Sequence, residues 1–334
     1  MAELVFVGCY TGDAGNGTGI TTFERSPSGS LREVACLPLE SPSWLTQHPS
    51  LLVLYAANET AAGGVTALAI SPSGELSVLG TAETGGAHPC HLAVTPDGRF
   101  LLCANYTGGS VAVFSLTPSG ALQARTALVQ HSGSGPVSGR QEAAHVHMAV
   151  PSPDGSVVSA VDLGTDEIRS YTLTSSGELE PLAVSSLPPG TGPRQLVRRP
   201  GTDLAYVVGE LAGTLVTVRE TSPGAFEVVA STPSTLSSGK PNLVAHLELA
   251  GSRLYVSNRG PDCVTEFALD DAAAVADQPC GANPRHFALV DGTCYVAAQS
   301  EDAVTAFTLT ASGEAELRYY PTGSPTFVLP VSLP

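Results

Sequence analysis

A unit that recurs along the chain restricts the fold more than any other feature. In its clearest copy a strand-like run opens at His88-Pro89-Cys90-His91 and ends at the turn Thr95-Pro96-Asp97-Gly98. A second run, Phe100 to Asn105-Tyr106, leads through Gly108-Gly109-Ser110 to a third, Val111 to Leu116. The turn Thr117-Pro118-Ser119-Gly120 then precedes a fourth. Runs of strand length broken by Gly, Pro, Asp and Ser are the pattern of short strands joined by tight turns. The glycine closing the last turn recurs at 29, 74, 120, 177, 224 and 313, in steps of 45, 46, 57, 47 and 89 residues. The longest step spans two units, with a decayed strand at Phe267-Ala268-Leu269-Asp270-Asp271 between them and the final copy at Phe307 to Gly313. A period of about 40 to 50 residues means an array of supersecondary units.

The opening run also has seven copies, starting at Pro42, Pro89, His145, Pro193, Pro241, Pro284 and Pro325. No strands follow the last copy, and the N-terminal run Leu4 to Tyr10 reads as a second strand without a first. The two ends therefore complete one unit between them. A ring closed in this way leaves no open sheet edge. The expected architecture is all-β, a seven-bladed β-propeller with four-stranded blades, forming one domain over residues 1–334. A closed ring needs no partner to cover an edge, so a monomer is expected.

Composition narrows the partners. The chain is 43% hydrophobic and 14% charged, which argues against disorder. The formal net charge is −16, and Lys240 is the single lysine. Nucleic acid and anionic membrane are bound through Lys and Arg clusters, so neither is an expected partner. An anionic small molecule would need a site built from Arg and His. Met1-Ala2-Glu3 lacks the basic start of an export signal, and no apolar run approaches a membrane span. A cytoplasmic location is expected. The seven cysteines are scattered, with no Cys-x-x-Cys pair, and read as free thiols. His145-x-His147 and His88-x-x-His91 come nearest to a zinc pattern but lack partner ligands, so no metal and no cofactor are expected.

In a propeller the first strand of each blade lines the central channel, and its start lies at one mouth. A site there can draw one residue from each repeat. Aligned on the opening proline, the third unit carries His145 in its place. The next position reads Ser43, Cys90, Val146, Arg194, Asn242, Arg285 and Thr326. The one after reads Trp44, His91, His147, Gln195, Leu243, His286 and Phe327. His91, His145, His147, His286, Arg194 and Arg285 thus fall in one band. The second strand returns to the same mouth, where it ends in Cys9, Asn58, Asn105, Asp162, Gly209, Asn258 and Ala298. Tyr10, Glu59, Tyr106, Leu163, Glu210, Arg259 and Gln299 follow those residues. Asn and Asp at strand ends also serve as turn formers that bond their own backbone. Buried Arg and Glu cost several kcal/mol unless paired, which marks Arg194, Glu210 and Arg259 as a functional set or an ion-pair cluster.

Several segments resemble the propeller-type lactonase family. They are His88-Pro-Cys-His91, His145-Val-His147 with Ser152-Pro-Asp-Gly155, Asp162-Leu-Gly-Thr-Asp166 and Gly192-Pro-Arg194. Tyr206-Val-Val-Gly-Glu210-Leu211, Ser257-Asn-Arg-Gly260 and Asn283-Pro-Arg-His-Phe287 complete the set, and the similarity covers nearly the whole chain. That family includes bacterial 6-phosphogluconolactonases of propeller fold and fungal carboxymuconate-cyclising enzymes. The resemblance implies a channel site made of a histidine of the His145-x-His147 pair, Arg194, Glu210 and Arg259. Gln195 after Arg194 and Gly209 before Glu210 depart from the family pattern.

The expected activity is cofactor-independent hydrolysis of a sugar lactone, with 6-phosphoglucono-lactone of the pentose phosphate pathway as the leading substrate. Glu210 or His147 would be the general base, and Arg194 and Arg259 would stabilise oxyanion and carboxylate. His145, His91, His286 and Arg285 would complete the anion-binding surface, with Asn105 and Gln195 as further substrate contacts. A cycloisomerase acting on an unphosphorylated acid and a non-catalytic interaction propeller are the alternatives.

Overall fold

The computed structural model describes residues 3–309 and 316–333, folded into seven four-stranded antiparallel sheets. Thr310 to Gly313, the end of the last turn copy, lie outside the described residues. Blade 1 joins the two ends of the chain. Its inner strand is Pro325–Ser332, followed outward by Glu3–Cys9, Gly19–Arg25 and Leu31–Pro38. The inner strands of blades 2 to 7 are Pro42–Gln47, Pro89–Val94, Val146–Pro151, Pro193–Arg198, Leu243–Ala250 and Pro284–Val290. The sequence count of seven units, and the closure between Leu4–Tyr10 and the last proline run, is the observed seven-bladed ring. No helix of the described residues is long and apolar enough to cross a membrane.

The strand pattern follows from where each strand sits. Second strands such as Phe100–Asn105 and Val157–Asp162 are buried along their whole length, so they read as continuous apolar runs. Outer strands such as Leu76–Glu83 are largely exposed and mix polar residues in. The core lies between blades. Tyr55 and Val65 of blade 2 pack with Leu101 and Phe114 of blade 3, and Tyr295 and Val304 of blade 7 with Val5 and Phe23 of blade 1. Each fully buried side chain of this size contributes about 1.5 to 3 kcal/mol. The recurring turn glycine is tied into this packing. Tyr55 donates to the Gly120 carbonyl at 2.7 Å, and Tyr295 to the Gly29 carbonyl at 2.7 Å. Gly120 and Gly29 have φ of +81° and +78°, which a side chain would resist.

One local device positions the site. In every blade the ladder between inner and second strand slips just past the opening residue. Pro42 pairs with Asn58 and Trp44 with Ala57, leaving Ser43 unpaired. The same slip leaves out Cys90, His147, Arg194, Arg285 and Thr326 in blades 3, 4, 5, 7 and 1. In blade 6 it is wider and falls between Val244 and Leu247, across Ala245 and His246. A β-bulge re-aims the side chain of its extra residue. This register corrects the sequence alignment of two blades. In blade 4 Val146, not His145, takes the proline position opposite Asp162, so His147 belongs with Cys90 and Arg194. In blade 6 the equivalent residue is Val244, opposite Asn258, rather than Pro241.

Candidate active site

The bulged side chains converge. Thr326, Ser43, Cys90, His147, Arg194 and Arg285 line one cavity of about 310 Å³ at the mouth of the channel. Trp44 aside, the remaining lining comes from the ends of second strands and one loop: Tyr10, Glu59, Tyr106, Glu210, Arg259 and Arg140.

 Trp44 completes the wall from blade 2. Glu210 is the hub. Its Oε1 accepts from Arg140 Nη2 at 2.6 Å, while Arg194 Nε and Arg259 Nη2 each lie 3.0 Å from its Oε2. Arg194 also donates to the Ala245 carbonyl, and Arg259 Nε to the Leu243 carbonyl at 3.0 Å. Across from this cluster, Arg285 Nη2 donates to the Tyr10 hydroxyl at 2.8 Å, and that hydroxyl donates to Glu59 Oε1 at 3.0 Å.

The electrostatics follow from four guanidiniums and two carboxylates sharing one small cavity. Burial pushes the Glu210 carboxyl up, but Arg259, Arg194, His147 and Arg140 together hold it well below the usual carboxylate range. Burial first, and Arg194 second, hold the His147 imidazole well below its ordinary value. Burial lowers Arg259 to about 10 despite Glu210. The Glu59 carboxyl is pushed up by burial, against the pull of Arg285. The cavity therefore holds excess positive charge and one neutral imidazole, an arrangement that takes an anion and can accept a proton. Among the described residues no group of three or more His, Cys, Asp or Glu side chains is placed to hold a metal ion.

The residues expected from sequence separate into three places. Arg194, Glu210, Arg259, His147 and Arg285 line the cavity. His91, His286 and Gln195 lie outside its lining, in a layer formed by the residues next to the bulges. There His91 packs tilted against Trp44 at 4.3 Å between ring centroids, His286 tilted against Phe327 at 3.7 Å, and Gln195 Oε1 lies 2.8 Å from His246 Nδ1. His145 and Asn105 also lie outside the lining. His145 stacks on Tyr106 at 4.6 Å, with Nε2 3.2 Å from Glu142 Oε1. Asn105 is fully buried and donates to the Ser110 hydroxyl at 3.0 Å, joining its strand to the next. Arg140 was not anticipated. It stands on the stretch between Gln130 and Val146, and the signal for it was the 57-residue step, about ten longer than its neighbours. His246 was missed because the wide bulge of blade 6 displaces it from the aligned position.

Comparison with known proteins agrees with the seven-bladed fold. Residues 4–330 match the profile described as Lactonase, 7-bladed beta-propeller. The chain belongs to the seven-bladed β-propeller lactonase family. This lactonase is 33% identical over 274 residues to the 6-phosphogluconolactonase of Bacillus subtilis, covering 79% of this chain and 77% of the relative. It is 28% identical over 304 residues to the 6-phosphogluconolactonase of Formosa agariphila, covering 85% and 86%. The solved periplasmic gluconolactonase of Pseudomonas aeruginosa superposes with a TM-score of 0.92 at 28% identity, over 100% of both chains. The chain is thus a lactonase, a hydrolase of cyclic esters.

Proposed function

We propose that this lactonase opens 6-phosphoglucono-lactone to 6-phosphogluconate, with His147 as general base and Arg194 and Arg259 as the oxyanion clamp. The observation that carries the reading is a neutral imidazole sharing one small cavity with guanidiniums fixed by Glu210. His147 takes a proton from water as the oxygen attacks the lactone carbonyl. The carbonyl π electrons move to oxygen, where Arg194 and Arg259 meet the new negative charge. The tetrahedral intermediate collapses, the ring C–O bond breaks, and His147 returns the proton to the leaving alkoxide. One water is consumed and one carboxylic acid forms. Glu210 serves as the counter-ion that spaces the guanidiniums; with three arginine partners it is a poor proton acceptor. The names of the Bacillus and Formosa relatives support the phosphorylated substrate. On that reading the enzyme works in the cytoplasm, in the pentose phosphate pathway. The likeness to a gluconolactonase favours a second reading, hydrolysis of the unphosphorylated lactone.

The test is lactone hydrolysis with spontaneous opening subtracted. Arg194→Ala and His147→Gln are each expected to lower kcat by about 100-fold or more, the usual scale for an oxyanion donor or a proton-transfer group. Full activity in either variant would sink the assignment.

A further inference from the structure

We propose that Arg285 and Tyr10 form the subsite for the substrate's phosphate, on the far side of the channel from His147. The inference rests on the phosphorylated-lactone reading and adds where each end of the substrate lies. The ring supplies the first argument. His147 stands on blade 4, and Arg285 on blade 7, three blades away in a ring of seven. That is the greatest separation such a ring allows. Tyr10 follows the second strand of blade 1, also three blades from His147. A substrate whose carbonyl reacts at His147 and whose length spans the cavity therefore ends against Arg285 and Tyr10.

Charge supplies the second argument. The lining is asymmetric. Blades 5, 6 and 7 contribute Arg194, Arg259 and Arg285, whereas blades 1 to 3 contribute Tyr10, Thr326, Ser43, Trp44, Glu59, Cys90 and Tyr106. Arg194, Arg259 and Arg140 are committed to Glu210. Among the described residues Arg285 forms no ion pair. Its partners are the Tyr10 hydroxyl at 2.8 Å and Gln299 Oε1 at 3.5 Å, and its guanidinium sits 5.0 Å from the centre of the Tyr10 ring. Among the described residues it is the one cavity guanidinium with no carboxylate in direct contact, Glu59 reaching it through the Tyr10 hydroxyl, and a guanidinium presents two parallel donors that match a phosphate. Glu59 is the opposing charge at this end. Its carboxylate is engaged by the Tyr10 hydroxyl, which fixes the ring beneath Arg285.

The test compares kcat/KM on 6-phosphoglucono-lactone and on glucono-lactone for the wild type, Arg285→Gln and Arg285→Lys. The preference for the phosphorylated substrate is expected to fall about 30-fold in R285Q, the scale of one charge-assisted contact to an anion, and to fall less in R285K. A preference within about threefold of wild type in R285Q would overturn the subsite. Inorganic phosphate binding, read from the fluorescence of Trp44, the single tryptophan and a lining residue, gives an answer that does not depend on turnover. Saturable phosphate binding that R285Q abolishes, in a protein that hydrolyses neither lactone, would support the subsite and reject the functional reading. Identical phosphate titrations in wild type and a folded R285Q would reject the subsite, whatever the hydrolysis rates.

Discussion

His147 decides how activity should respond to acid. An ordinary histidine gains its proton near pH 6.5, and a base with that value loses activity below it. Burial and Arg194 keep this imidazole neutral well below its ordinary value. The kcat/KM profile is therefore expected to stay level from about pH 7.5 to about 5.5, without an acid limb centred near 6.5. Rates measured by stopped flow over that interval check this, and a midpoint near 6.5 would place the base elsewhere. The low basicity has a counterweight. An anionic substrate offsets part of the arginine field, so His147 accepts a proton more readily once the cavity is filled. Glu210 acts in the same direction, since its carboxylate favours a charged imidazole.

At the level of single elements, the stretch ahead of blade 4 matters as much as the bulges. Gln141 is fully buried beside Arg140. It donates to the Leu163 carbonyl and to Asp166 Oδ1, both at 2.8 Å, and accepts from the Val137 amide at 3.0 Å. Asp166 in turn accepts from the Gly190 and Gly192 amides, just ahead of Arg194. Gln141→Ala is expected to cost about 1 to 3 kcal/mol in urea unfolding, because it strips buried groups of their partners. It is also expected to lower kcat/KM, in the same direction as Arg140→Ala, although Gln141 lines no part of the cavity. Unchanged activity in Q141A would show that Glu210 and Tyr106 hold Arg140 without help from the Gln141 network. The same elements show what the sequence could reveal. The strands and their number were legible because apolar runs and turn glycines repeat with the blades. Arg194, Glu210, Arg259 and Arg285 were legible because charge stands out at channel positions whose other equivalents are mostly uncharged. His147 was aligned one residue out of register, because blade 4 has no proline to mark the strand start. Arg140 had no equivalent to be compared with, since its loop belongs to one blade interface.

Over the whole molecule, buried neutral histidines set the response to low pH. Burial holds His91 and His246 at about 3, and holds His147 and His286 well below their ordinary value. Unfolded, each would bind a proton near pH 6.5. Their neutral state stabilises the fold fully above that value. The contribution is lost as pH falls toward the folded values, at about 1.4 kcal/mol per pH unit for each histidine. Glu210, depressed in the fold, adds to the loss once pH drops below the unfolded carboxylate value. Thermal melts are expected to show Tm falling steeply below about pH 6, in one cooperative transition, because every blade shares its core with the next. Two separate transitions would count against a single folding domain. The ring of bulges has a consequence for descent. Six blades offer one unpaired residue near the strand start and blade 6 offers two, and the ladder resumes on either side. A change of chemistry at any of these positions leaves the strands paired as before. Catalytic identity in such a ring can drift blade by blade, while the architecture is inherited intact.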